Sequence, residues 1–366
     1  MIAPVAFENL QFPDQRNLDW SDFESIEWMR AGREYFTTEN GITYGNPAQV
    51  GPNLAGSSLN YAGGALAEDG TIYALGHAAD EILKINTYDN TFTSQSYSPV
   101  NPSSNSCAYS PFTNCVYFDS DKGIVKYDVD TTTTTLVSTP FSGQATMVGF
   151  SHDGRYLYFH GFFTSRKMYY YDILSDTVTD TGTSFSGDRI TGCLSWNNKF
   201  FMGGGGGSTN FLMYDPVANS VTTFGSTSAD RYRNFIQYYD GYMYTFGGYG
   251  AAQIKRVDPV TLDVVDVYTM GSSGYNWNDY EIGCDGKIYC VGQSNTLGVY
   301  DPRDNTFTTK TLPASSYEGI VMGANGDLYC IPWNTNIAAI VPIQNNGRVM
   351  TELQNWNGIV MRHRAT

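Results

Sequence analysis

Two ladders of residues with one shared spacing run through this chain and limit its fold more than any other feature. The first rung is a turn followed by an apolar–aromatic pair, clearest in Asp69-Gly70-Thr71-Ile72-Tyr73, Asp240-Gly241-Tyr242-Met243-Tyr244 and Asp285-Gly286-Lys287-Ile288-Tyr289. Its aromatic recurs at Tyr73, Tyr117, Tyr158, Phe201, Tyr244, Tyr289 and Tyr329, with gaps of 44, 41, 43, 43, 45 and 40. The second rung opens a turn after an apolar strand at Asn86, Asp128, Asp172, Asp215, Asp258, Asp301 and, departing from type, Pro342, with gaps of 42, 44, 43, 43, 43 and 41. A fixed period of this length marks a chain built of stacked supersecondary units.

Each unit reads as four strands. In the sixth, strand A is Tyr280 to Gly283 and Asp285-Gly286 is the hairpin turn. Strand B is Lys287 to Val291, strand C is Thr296 to Tyr300, and strand D is Thr306 to Lys310. Between C and D, Asp301 bonds its own backbone and Pro302 presets φ. No segment between units is long enough for a crossover helix and a parallel strand, so the sheets are antiparallel meanders. Four-stranded units of about 40–45 residues are blades of a propeller. The expected fold is therefore all-β: a seven-bladed β-propeller over residues 59–354, with an N-terminal extension (1–58) and a C-terminal tail (355–366). Small residues suit the crowded axis, as in Ala62-Gly63-Gly64-Ala65 and Thr191-Gly192-Cys193.

Tyr244-Thr245-Phe246-Gly247-Gly248 followed by Asp258-Pro259, and Phe201-Met202-Gly203-Gly204 followed by Tyr214-Asp215-Pro216, resemble kelch repeats. Only these two blades keep the double glycine, and strand D has Phe92, Val178, Val221, Val264 and Phe307 where kelch blades carry Trp. The last two blades also resemble, in texture, repeat proteins of marine viruses and phages. Lyases of the streptogramin type have broadly similar repeats, but no His/Glu/His set matches here.

Charge and cysteine content exclude several classes. With 21 basic and 36 acidic residues the net charge is −15, which leaves no basic face for nucleic acid. Only 16% of residues are charged, giving a polar, weakly charged surface. None of the six cysteines forms a CxxC pair. Cys290 and Cys330 share one repeat position with Ala74, Phe118, Phe159, Met202 and Thr245, so they read as core fillers and free thiols. Met1 to Pro13 lacks the pattern of a signal peptide, and no stretch approaches a membrane span. The expectation is a chain made in the cytoplasm and carried on a virion, or otherwise retained in the cytoplasm.

In the extension, Ser21-Asp22-Phe23-Glu24 is a capping box for one helix, with Phe23, Ile26, Met29 and Arg30 on one face. This helix either caps the ring or docks it onto a larger assembly. Seven complete A-to-D units imply that no strand is borrowed to close the ring, although residues 34–43 are available to add one to a blade edge.

Propeller active sites lie near the axis, on the face of the B–C and D–A loops. There the chain offers Phe162, Phe163, Arg166, Tyr249 and Trp333 in B–C loops and Arg231, Tyr232, Arg233, Trp277 and Tyr317 in D–A connections. Exposed aromatics with Arg suit sugars, peptides or protein hot spots. His77 and His160 follow strand B in two different blades with no third ligand, so neither a metal nor another cofactor is expected. Gly203 to Gly207 lacks the helix and Lys of a phosphate loop. The acid pairs Asp119/Asp121 and Asp279/Glu281 are candidates for glycosidase carboxylates, although Asp119/Asp121 read better as turn formers. The leading expectation is a non-enzymatic virion or surface-assembly protein that docks other proteins, or a host receptor or glycan. The alternatives are a carbohydrate-active glycosidase or lyase and a kelch-type adaptor.

Overall fold

The computed structural model describes residues 43–54, 61–76, 81–97, 106–151, 154–161, 166–185, 191–196, 198–203, 210–226, 234–238, 240–248, 253–271 and 276–344. The expected N-terminal helix lies outside these residues, and the described ones form strands and turns without a helix. Seven four-stranded antiparallel sheets form the blades of a propeller. Neighbouring blades touch through their first strands, Trp277–Ile282 against Tyr317–Met322 and Tyr317–Met322 against Tyr61–Leu66, which places strand A at the axis. Outer strands such as Thr306–Thr311 alternate between exposed and half-buried residues.

The core is divided among the junctions. Seven hydrophobic clusters among the described residues each join two adjacent blades, including one between blades 7 and 1 built on Tyr329, Ile331, Tyr61 and Ile85. All seven repeating aromatics are buried in these clusters. In blades 1, 5 and 6 the polar tip explains the position four residues beyond the turn aspartate. Tyr73, Tyr244 and Tyr289 donate to Asp69, Asp240 and Asp285 at 2.9, 2.7 and 2.8 Å. The same carboxylates accept the N–H groups of Thr71, Tyr242 and Lys287, and Gly70, Gly241 and Gly286 supply the left-handed φ of 78°, 85° and 76°. Aspartate, glycine and tyrosine thus form one device that fixes the A–B hairpin and the blade junction together.

Ring closure differs from the sequence expectation. Blade 7 contributes only Tyr317–Met322, Leu328–Pro332 and Ala339–Val341, and its outer strand is Ala48–Gln49 from the start of the chain. A strand is borrowed after all, from a point later than residues 34–43. The N–H groups of Val50 and Leu54 extend the pairing to Ala338 O and Asn336 O. A second short pairing sets Thr43–Tyr44 against Ile343–Gln344. Residues 43–54 are therefore part of the propeller. Pro342 marks the departure: five of the other six units open an Asp turn into strand D, whereas here the chain runs on, with Ile343 N donating to Asp327 Oδ1 at 2.7 Å and Ile343–Gln344 pairing with Thr43–Tyr44.

Packing in the middle of a blade leaves no spare volume. A Cβ on Gly298 would press on Cys290 Sγ and lie 2.8 Å from Trp277 Cη2 and 2.9 Å from Phe307 Cζ. Gly298→Ala is expected to destabilise the protein by about 1–3 kcal/mol through overpacking. Urea unfolding monitored by tryptophan fluorescence measures this, and an unchanged midpoint would show that blade 6 can repack.

Candidate functional site

Strand A has a hydrogen-bonded neighbour on one side only. Its inner edge presents backbone groups that need other partners. Side chains of the sixth blade supply them. Asp279 Oδ2 accepts from Ile320 N at 3.0 Å, and Glu281 Oε2 accepts from Met322 N at 3.3 Å. The two-residue step in both strands matches the period of a β-strand, so the acid pair clamps blade 7 in register. From blade 5, Asn234 Nδ2 donates to Asp279 Oδ1 at 2.9 Å and to Asn278 O at 3.1 Å. Asn278 Nδ2 in turn donates to Glu318 Oε2 at 2.8 Å. Blades 5, 6 and 7 are thus tied by one polar network at the end of the axis where strands A begin.

In blade 2, Asp119 accepts the N–H and the hydroxyl of Ser106 at 3.0 and 2.9 Å, beside Cys107. Asp119 is fully buried and anchors the entry to strand A of blade 2, instead of forming a surface turn. Glycine backbones meet between blades 7 and 1, where a Cβ on Gly319 would stand 2.9 Å from Gly63 Cα. Asp279 and Cys107 are both half-buried, and the Asp279 charge acts on the Cys107 thiol. Burial pushes the Asp279 carboxyl up to about 7 against the pull of the Ile320 and Tyr280 N–H groups. Burial, then the Asp119 and Asp279 charges, push the Cys107 thiol upward, so it stays protonated at neutral pH and is no nucleophile.

His160 is the one histidine among the described residues. It is buried in Tyr156–Gly161, with Nδ1 3.1 Å from Gly161 O and the ring edge-on to Phe185. Among the described residues no three His, Cys, Asp or Glu side chains are grouped to hold a metal. The free cysteines among them include Cys290 and Cys330, both buried in the core.

The aromatic and arginine residues expected at this face divide three ways. Phe162, Phe163, Arg231, Tyr232, Arg233 and Tyr249 lie outside the described residues. Arg166 is exposed in blade 3 and Trp333 is half-buried in blade 7, and these blades are not neighbours. Trp277 and Tyr317 correct the expectation: both are fully buried at the first position of strand A. Trp277 Nε1 donates to Met270 Sδ at 3.1 Å. Strand A starts earlier than its alternation indicates because a bulge follows each aromatic, between Trp277 and Asp279 and between Tyr317 and Gly319. Asn234, Cys107 and Glu318 were not singled out by sequence. The signal that finds them is a polar or thiol side chain at the entry to an otherwise apolar inner strand: Asn234 two residues before Ile236–Gln237, Cys107 first in Cys107–Ser110, and Glu318 second in Tyr317–Met322.

Fold and site together define a seven-bladed β-propeller platform. No family model and no curated protein matches the chain. Solved structures do match in fold. A streptogramin B lyase superposes with a TM-score of 0.67 at 14% identity, covering 83% of this chain and 97% of that one. An extracellular domain described as part of a one component system of B. thetaiotaomicron gives 0.64 at 13%, covering 81% of this chain and 40% of that one. The WD40 propeller domain of Doa1 gives 0.63 at 16%, covering 84% and 99%. At these identities the likeness is one of fold alone.

Proposed function

We propose that this propeller is a non-enzymatic docking platform of a virion or surface assembly, binding other proteins of that assembly, or a host receptor or glycan. One observation carries the reading. The carboxylates gathered at the axis are engaged in holding the ring together: Asp279 and Glu281 hold backbone N–H groups of blade 7, and Asp119 holds Ser106. A glycosidase pair must instead leave its oxygens free to face a sugar. The weakly charged polar surface and the free thiols support the same reading. Rate-zonal sedimentation of the native protein from its source tests it. Co-migration with megadalton particles is the expected result. Migration as a free species near 40.5 kDa, together with turnover in a glycan panel that Asp279→Asn abolishes, would overturn it in favour of a carbohydrate-active enzyme.

A further inference from the structure

We propose that the face formed by the A–B and C–D turns, opposite the loops usually searched for propeller sites, docks a basic amphipathic segment of a partner protein along blades 3 to 5. This rests on the platform reading above and assigns its surface. Five of the six large apolar side chains exposed among the described residues sit on this face: Tyr88, Phe112, Leu174, Val217 and Val260, from 59% to 86% exposed. Four of them, all but Phe112, occupy one position, two residues after the Asn or Asp that opens the C–D turn. That residue accepts their N–H groups: Asn86 for Tyr88 at 2.9 Å, Asp172 for Leu174 at 3.0 Å, Asp215 for Val217 at 2.9 Å and Asp258 for Val260 at 2.8 Å. The turn does not require an apolar residue there, because blade 2 carries Asp130 and blade 6 carries Arg303 at the same place. The turn backbone that carries these side chains is fixed by those bonds, so little backbone order is lost when they are covered.

Charge selects the occupant. On blades 3 to 5, Asp176, Asp240 and Asp263 are exposed on this face, Asp89, Asp130 and Asp304 continue the acidity on blades 1, 2 and 6, and none of the six makes an ion pair. Of the cations described there, Arg155 pairs with Asp172, Lys199 with Asp215, and Lys287 and Arg303 with Asp301, while Arg256 stacks on the Tyr242 ring. An acidic surface with apolar points fits lysine or arginine side chains flanking apolar ones. A second copy of this chain would bring like charges together. Both described chain ends reach the same face under blades 6 and 7, where Tyr44 donates to Gly326 O at 2.7 Å, so the described end residues lie away from Leu174, Val217 and Val260 in blades 3 to 5.

The test is isothermal titration of the full chain with a short helical lysine–leucine peptide, its glutamate–leucine counterpart serving as control. The variant Leu174→Ser/Val217→Ser/Val260→Ser keeps the net charge and alters only exposed side chains. The lysine peptide should bind the parent protein and lose at least about tenfold in affinity on the triple variant, and the glutamate peptide should not bind. Equal affinity for parent and variant, or no binding, overturns the proposal. A concentration-dependent dimer that the variant loses overturns it in favour of a second copy. Peptide binding that appears only after removal of residues 345–366 overturns it in favour of the chain's own tail. Particle sedimentation separates the two readings: a triple variant that still co-sediments sinks this face and spares the platform, whereas a parent protein that does not co-sediment sinks the platform.

Discussion

Replacing Tyr44 with alanine is expected to cost about 3–5 kcal/mol of stability, the range for deleting a buried aromatic. Tyr44 completes a motif that other junctions build from elsewhere in the chain. At the junction of blades 5 and 6, Tyr238 donates to Gly286 O, the carbonyl of the next blade's turn glycine, at 2.7 Å. Blade 6 has Gly283 where blade 5 has Tyr238, and the Tyr44 ring fills that space, 2.8 Å from where a Cβ on Gly283 would stand. Its hydroxyl donates to Gly326 O at 2.7 Å and accepts from Cys284 N at 3.0 Å. At the next junction Thr87 repeats the relay, donating to Gly70 O at 2.7 Å and accepting from Ala324 N at 3.0 Å. Lys310 Nζ holds the Tyr44 and Gly45 carbonyls at 2.7 Å each, fixing the segment to blade 6. Tyr44→Phe keeps the ring and strands a buried carbonyl and N–H, so it should cost less, about 1–3 kcal/mol. Urea titration of both variants reads the difference at constant m-value. A loss below about 1 kcal/mol for the alanine variant would show that the ring closes without this residue.

What the sequence made legible follows from which interactions repeat. The aromatic ladder and the Asp-Gly turns stand out because blades 1, 5 and 6 solve one local problem, a left-handed turn beside a buried tyrosine, with the same three residues, and the other blades keep the buried aromatic at the same period. Ring closure does not repeat. Ala48–Gln49 is too short to carry a strand pattern, and its only trace is negative, the proline at 342 where a turn carboxylate belongs. Trp277 and Tyr317 read as loop aromatics because the bulge after each breaks the alternation that marks a strand. The pair Asp279/Glu281 was visible as an acid pair, but its task was not. Holding Ile320 and Met322 depends on the register between two blades, which no local spacing encodes.

That task makes Asp279 a source of pH dependence. Its carboxyl faces Glu281 on its own strand, the Asn234 amide from blade 5, the Ile320 N–H from blade 7 and the Cys107 thiol across the axis. Burial outweighs the donors, so the folded group titrates near 7 instead of at the ordinary 3.8. Between these values the native state holds a proton that the unfolded chain has released. Stability from this residue is therefore greatest below the unfolded pKa, falls as pH rises through the window, and is level above about 7. An interval of about 3 units corresponds to at most roughly 4 kcal/mol at 1.36 kcal/mol per unit. Asp279→Asn cannot ionise and lacks this slope. Asp285 and Asp327, also raised by burial, are common to both proteins and cancel in the comparison. Denaturant unfolding of parent and variant at about pH 5 and about pH 8 should show the parent losing stability relative to the variant at the higher pH by a few kcal/mol. A difference that does not change with pH would mean that Asp279 is ionised throughout. The donors from blades 5 and 7 would then outweigh burial, and the axial network would act as a fixed ionic clamp instead of a titrating one.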